Sequence, residues 1–333
     1  MEEKILKLLQ EKETITTKEL VEYFSKDRTT IYRWLKKLKE TGQIESIKKW
    51  TYRLKKNIET YFDTPTWERK KVNYNPQFLR SYKPNETYFF SENNLKKLQD
   101  SIADLPIDTD FYKTNKRFLE TLLIDLSFAS SYLEWNTYSY LDTEVLLKYN
   151  EINKEKTEEE TQMILNHKKA IEYMIYYKKE LDFSKNTFFE IHSLLWEKLL
   201  SKNDLWKLRN TIVEIWWSTY SPLDNKYRLE EEFDIFLEKL NCIKNPFEQS
   251  LFINVFIPYF QLFLDINKRT SRIMCNLPLI KHNLPVLSLI QCEKKKYIIA
   301  ILSIYELNNV DLLQNIWTEN YLLNLEKYKN YFN

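Results

Sequence analysis

The sequence predicts a mostly α-helical chain with a small mixed α+β unit at its N-terminus, and three observations carry that reading. Glycine usage is the first: 333 residues contain one glycine against nine prolines, so the left-handed turns that hairpin-rich sheets and barrels need are scarce. The second is apolar spacing, which is helical through most of residues 115–325. The third is charge. Residues 1–56 carry 15 Lys+Arg against 9 Asp+Glu, a net +6, whereas the rest carries 35 against 39, a net −4. Only the N-terminal stretch has the sign a polyanion selects.

The length fits one small domain and one larger one, and a 43% hydrophobic, 15% aromatic composition supplies a sizeable core. We expect a first domain over 1–56, a linker with short helices over 57–110, where Pro65, Pro76, Pro84 and Pro106 interrupt polar and aromatic residues, and a helical domain over 111–325. Cys242, Cys275 and Cys292 are too few and too scattered for a disulfide framework or a zinc site, and are expected to be buried apolar fillers in a reducing compartment. The start, MEEKILKLLQEKE, has no basic segment followed by an apolar one, and no run of about 18 apolar residues occurs. The expectation is a soluble, cytoplasmic protein without a membrane partner; a homo-oligomer is compatible with the sequence.

In the first domain, Ile5, Leu6, Leu8 and Leu9 form a helical stripe within Glu2–Lys12. Thr16, followed by Lys18 and Glu19, reads as an N-cap for a helix running to Phe24. After a turn at Ser25–Asp27, a third helix over Arg28–Glu40 sets Ile31, Leu35 and Leu38 on one face and basic residues on the others. Gly42 follows where a helix C-cap takes a left-handed residue. Short alternating runs, 44–47 and 50–54, then suit a two-stranded wing. This is the element order of a winged helix-turn-helix, and it predicts DNA binding through Arg28, Thr29, Thr30, Arg33, Lys36 and Lys37.

Beyond the linker, helices are expected at 115–134, 158–180, 185–200, 229–241, 246–264, 268–282, 294–305 and about 309–325. The β-prone run Arg209–Tyr220 interrupts them and suggests a short hairpin.

The segment Gln261-Leu-Phe-Leu-Asp-Ile-Asn-Lys-Arg-Thr-Ser-Arg272 closes one apolar helix, turns, and opens another. A helix start of this kind offers free backbone N–H groups and a favourable dipole to a phosphate. Arg269 and Arg272, three residues apart, can address one anion. Asp265 is a hard-oxygen group suited to magnesium bridging phosphates.

These residues resemble the Fic/Doc signature H-x-F-x-D-x-N-[GK]-R-T-x-R, with Phe263, Asp265, Asn267, Lys268, Arg269, Thr270 and Arg272 in place. The likeness extends over roughly 110–320: Leu208–Pro222 is similar to the family's flap, which holds a target segment as an added strand, and 283–288 and 305–308 to its later helices. The resemblance implies a helical Fic-type domain with a β-hairpin flap that transfers a nucleotide monophosphate, usually AMP from ATP, to a protein hydroxyl. Asp265 would then bind Mg2+, while Asn267, Lys268, Arg269, Thr270 and Arg272 would hold the nucleotide phosphates of ATP. Ile215, Trp216, Trp217 and Tyr220 would face a protein target at the flap. A lysine at 268 is also similar to Doc, which transfers a phosphoryl group. Ser130-x-x-x-Glu134 resembles the family's inhibitory motif, whose glutamate pairs with the second motif arginine; Trp135 stands where that motif has Gly or Asn.

Two departures matter. Gln261 occupies the position of the family's catalytic histidine, and a neutral amide cannot take up a hydroxyl proton. Ile266 replaces the glycine usual before Asn267. The expectation is therefore a DNA-binding regulator with a degenerate nucleotide-binding domain, the alternative being an adenylyltransferase or Doc-like phosphotransferase inhibited by Glu134. His167, His192 and His282 lack metal-ligand spacing and are expected to be ordinary surface or core histidines.

Overall fold

The computed structural model describes residues 1–12, 14–40, 43–54, 58–103, 111–199, 205–329 and 331. Gly42 and Pro106 lie outside the described residues. The chain divides into two compact units, Met1–Arg69 and Lys70–Asn333.

The first unit comprises α1 (Glu2–Glu11), β1 (Ile15–Thr16), α2 (Thr17–Phe24), α3 (Arg28–Glu40), β2 (Ile44–Lys48), β3 (Thr51–Leu54) and α4 (Ile58–Asp63), followed by a 3-10 turn at Thr66–Glu68. Thr16 caps α2 reciprocally: its hydroxyl accepts from Glu19 N–H at 3.2 Å and its own N–H donates to Glu19 Oε2 at 2.7 Å. Strand order is β1-β3-β2, all antiparallel, with Ile15 opposite Tyr52 and Ile44 opposite Leu54. Residues at helical spacing on three helices, among them Ile5, Leu20, Ile31 and Leu35, meet the inward strand residues Ile15, Ile44 and Tyr52 in one core. Strand β1, absent from the sequence reading, is two residues long and pairs Ile15 with Tyr52 and Thr16 with Thr51, far along the chain.

The second unit begins with β4 (Val72–Asn73), α5 (Pro76–Arg80), α6 (Glu92–Ile102), α7 (Phe111–Thr114), α8 (Lys116–Tyr132), α9 (Tyr140–Tyr149), α10 (Glu158–Tyr176) and α11 (Lys185–Trp196). It continues through β5 (Tyr220–Ser221), α12 (Lys226–Cys242), α13 (Pro246–Phe260), α14 (Asn267–Met274), α15 (Asn276–Lys281), α16 (Lys294–Leu307) and α17 (Asp311–Lys329). Helix α13 is buried at every position from Phe247 to Phe260, as expected of a helix apolar all round. It packs on α12, α14, α15 and α16 and delivers Gln261 at its end.

The structure corrects several expectations. Residues 70–103 are not a linker but belong to the second unit: Phe78, Tyr82 and Phe89 stack on Phe252, Phe256 and Tyr259 of α13, and Glu248 of α13 accepts from Tyr82 OH and Phe89 N–H. Prolines there start and stop short packed pieces. The helix expected over 268–282 is two, because Pro278 has no N–H for the Met274 carbonyl. Helix α9 was not anticipated. Cys242 is exposed at the end of α12, whereas Cys275 and Cys292 are buried.

The expected hairpin over 209–220 is not formed. Within the described residues 205–219 no strand occurs; a turn donates Ser218 N–H to Ile215 O, and Trp217 takes φ 62. Only Tyr220–Ser221 is a strand, paired in parallel with β4. A two-residue hairpin turn needs glycine or Asn-Gly, and this stretch has neither.

Candidate functional site

Gln261 ends α13 in the left-handed region at φ 51, and the chain then loops to α14, whose first residue is Asn267. The loop is closed from within. Asn267 Oδ1 accepts from Phe263 N–H at 2.9 Å, and its Nδ2 donates to Phe263 O at 2.8 Å and to Gln261 Oε1 at 3.2 Å. Gln261 Nε2 in turn donates to Pro258 O at 2.7 Å and to Tyr305 OH at 3.1 Å. The amide where the family carries its base is thus a clasp between three helices.

Ile266, ahead of Asn267, is buried and held at φ 68, and Trp135, next to Glu134, at φ 67. Both stand where the resembled motifs have glycine or a residue tolerant of that conformation, and for an isoleucine it is strained. The backbone shape has been kept without the glycine.

Two arginines of α14 are buried, with different surroundings. Arg272 Nε donates to Ser130 Oγ and Nη2 to Ser130 O, both at 3.0 Å; Nη2 lies 2.9 Å from Glu134 Oε1. Lys268 Nζ lies 3.2 Å from the other oxygen, Oε2. Burial alone would raise the Glu134 carboxyl, but the charges of Arg272, Lys268 and Arg269 outweigh it and bring it down to about 2. Among the described residues Arg269 makes one ion pair, with Asp265 Oδ2 at 3.5 Å. Its Nε and Nη1 are buried and have no hydrogen-bond partner among the described residues. A guanidinium in that state is short of an anion.

Glu134, Asp265 and Lys268 open onto a cleft of about 710 Å³. Glu134, Gln261, Asp265 and Lys268 line one side, Tyr297, Ile301 and Tyr305 of α16 another, and Val213–Trp217 of the flap a third. Trp216 is 83% exposed, and Trp217 packs edge-on to Trp135, centroids 6.1 Å apart.

The anticipated residues therefore divide. Glu134, Gln261, Asp265, Lys268, Ile215, Trp216 and Trp217 line the cleft; Arg269 and Arg272 do not, but each contacts a residue that does, Asp265 and Glu134 respectively. Asn267 turns its side chain into the loop, and Thr270 is buried, its hydroxyl without a partner among the described residues. Tyr220, expected to face a target, is buried instead: it stacks on Tyr259 and Tyr305 and donates to Tyr259 O. Asp265 is exposed, with Oδ1 accepting from Ile266 N–H. Among the described residues no cluster of three metal-ligating side chains occurs, so a cation at Asp265 would depend on phosphate and water oxygens, a coordination magnesium accepts.

Three residues stand out only in space. Arg209 donates to Thr211 O and Leu223 O at the two ends of the flap and to Gln261 O in the loop. His192 stacks on Phe263, centroids 3.7 Å apart, and hydrogen-bonds Asp265 O at 3.2 Å; burial pushes its imidazole down to about 3. Tyr297 lies beside the Arg272 guanidinium. Isolated Arg, His and Tyr residues in apolar runs carry no spacing signal that would have singled them out. His167 is likewise buried, and His282 is exposed.

Residues 2–53 match the family described as "HTH domain". On that unit Arg28, Thr29, Arg33 and Lys36 are exposed, while Thr30 Oγ1 donates to Asp27 and Lys37 pairs with Glu2 at 3.0 Å. A Fic family protein from Desulfovibrio desulfuricans superimposes with a TM-score of 0.61 at 15% identity, over 75% of this chain and 77% of its own. A Fic domain containing signaling protein from Bacteroides thetaiotaomicron gives 0.57 at 17%, over 70% and 94%. This is the Fic fold. Fic-1 (residues 134–508) from C. elegans superimposes equally, with 0.57 at 17% over 76% and 71%. No curated protein matches the chain by sequence. At these identities the Fic fold is what is shared. No helix among the described residues is long and apolar enough to cross a membrane.

Proposed function

We propose that the chain is a cytoplasmic DNA-binding regulator whose Fic-type unit holds a nucleotide, with group transfer weak or absent. The observation that carries the nucleotide reading is Arg269, a buried guanidinium with two unpartnered donor nitrogens among the described residues, next to Asp265, which lines a cleft of ligand size. ATP is the ligand we favour. Its phosphates would meet Arg269, the α14 backbone amides and, once Glu134 has left, Arg272 and Lys268. Magnesium held by Asp265 would neutralise phosphate charge. Glu134 now pairs with Arg272 and Lys268, the two cations the terminal phosphate would need, and this supports an inhibitory role for it.

Gln261 limits the chemistry. Its amide cannot accept a proton from an attacking hydroxyl, and that help typically contributes about 10²–10⁴ in rate. The retained Asp265, Lys268, Arg269 and Arg272 favour a second reading, a protein adenylyltransferase or Doc-like phosphotransferase under the Glu134 lock, with a target protein gripped by Trp216 and Trp217. Titration with Mg-ATP, combined with transfer from labelled ATP, separates the two: binding without transfer supports the regulator, binding with transfer the enzyme, and no binding even after Glu134→Gly refutes both.

A further inference from the structure

Arg28 opens α3, and its guanidinium lies over the indole of Trp50, 4.4 Å from the ring centroid. Trp50 occupies the turn between β2 and β3 at φ 66. Its carbonyl accepts from Thr17 N–H at 2.9 Å, tying the turn to the start of α2. Tyr32, one helical turn after Arg28, packs edge-on to the same indole with centroids 6.3 Å apart, and Lys49 Nζ stands 6.0 Å from it. Arg28, Tyr32 and Trp50 are all exposed. The adjacent carboxylate is already committed, since Asp27 accepts from Thr30 N–H and Thr30 Oγ1. Arg28 has no hydrogen bond or ion pair among the described residues.

Stacking engages the flat face of a guanidinium and leaves its N–H edge free in the plane. A long arginine normally loses much rotamer freedom when it is ordered; here the indole already restricts it. The free edge is a planar pair of donors, the shape that matches the O6 and N7 acceptors of guanine in the major groove. Helix-turn-helix proteins address base edges with the first residues of their second helix, and Arg28 is the first residue of α3. Arg33 and Lys36 further along are suited to phosphates, which carry no sequence information.

We propose that Arg28, held by Trp50 and Tyr32, is the base-reading residue of the first unit and that the preferred DNA site carries a guanine at the position it meets. This rests on the DNA-binding reading above. The test uses the full chain, a randomised duplex library, and the variants Arg28→Lys and Trp50→Ala, with thermal unfolding checked for each. For the unaltered chain, one guanine should be invariant, and changing it should weaken binding about tenfold. Arg28→Lys keeps the charge and loses the fork, so it should bind random duplex as well as the unaltered chain does, with the same salt dependence, while the preference at that position falls below about twofold. Trp50→Ala should blunt the preference in part. A guanine preference unchanged in Arg28→Lys, or no enriched base with the unaltered chain, overturns the assignment while leaving DNA binding intact. Failure of the unaltered chain to bind random duplex overturns the DNA reading itself, and this assignment with it.

Discussion

The two units deploy charge in opposite ways. In the first, the described core cluster contains no carboxylate, lysine or arginine, and Arg28, Arg33 and Lys36 of α3 stand in solvent. In the second, Arg269 and Arg272 are buried, and the charges that decide the site lie within a few ångströms of one another. Exposed charges act at long range and are screened by salt, whereas buried ones act only on what reaches them and are screened little. On the function proposed above, the first arrangement suits a polyanion and the second a single small anion.

The largest expected effect tests whether the buried site lacks only a base. Gln261→His with Glu134→Gly should give transfer from labelled ATP, read as self-modification, on the order of 10²–10⁴ above the unaltered chain. Gln261 lies six residues before Asn267, the spacing of the resembled motif, and an imidazole there can donate toward Pro258 O and turn its other nitrogen to the cleft. Should Ile266 distort the loop, adding Ile266→Gly restores transfer. Strong transfer by the unaltered protein would show the degenerate-site reading to be wrong.

The comparison sharpens next in salt. Binding of random duplex should fall roughly 150-fold between 50 and 200 mM salt if about four phosphates are neutralised, while Mg-ATP affinity at the buried arginines changes far less. Deleting residues 1–56 should abolish the first and spare the second; equal DNA affinity with and without them sinks the assignment.

Within the second unit, Glu134→Gly should tighten Mg-ATP binding about tenfold or more, because it frees charge-assisted hydrogen bonds each worth about 1.5–3 kcal/mol. Calorimetry with unchanged affinity contradicts the inhibitory role. The smallest effect is in pH. A carboxyl held at about 2, below its ordinary 4.5, contributes stability that is full above about pH 4.5 and lost as pH falls towards 2. The stability lost in Glu134→Gln, on the order of 1 kcal/mol, should therefore be constant from pH 8 to 5 and shrink only below that. A difference that varies between pH 5 and 8 would place some other group at the pair.

Where local rules govern, the sequence was legible. Thr16 and Glu19 three residues apart set the start of α2, and apolar spacing set both ends of α3 over Arg28–Glu40. The segment from Gln261 to Arg272 places its own side chains, since a helix end, a short loop and a helix start leave little freedom. By itself, then, the sequence determined the winged unit, the helical class of the remainder and the identity of the phosphate-binding candidates.

Tertiary structure decided what depends on partners far along the chain. Residues 70–103 read as a linker because their prolines are local and the α13 rings they stack on are more than 150 residues away. Tyr220 turned inward because Tyr259 and Tyr305 offered it a stack, and the flap stayed irregular because β4 paired with β5 while Arg209 held both flap ends. Nothing in the spacing of Glu134 and Lys268 predicted that both oxygens of one carboxylate would be held by two different cations. That contact exists because α8 and α14 pack side by side, and packing between distant helices has no period in the sequence.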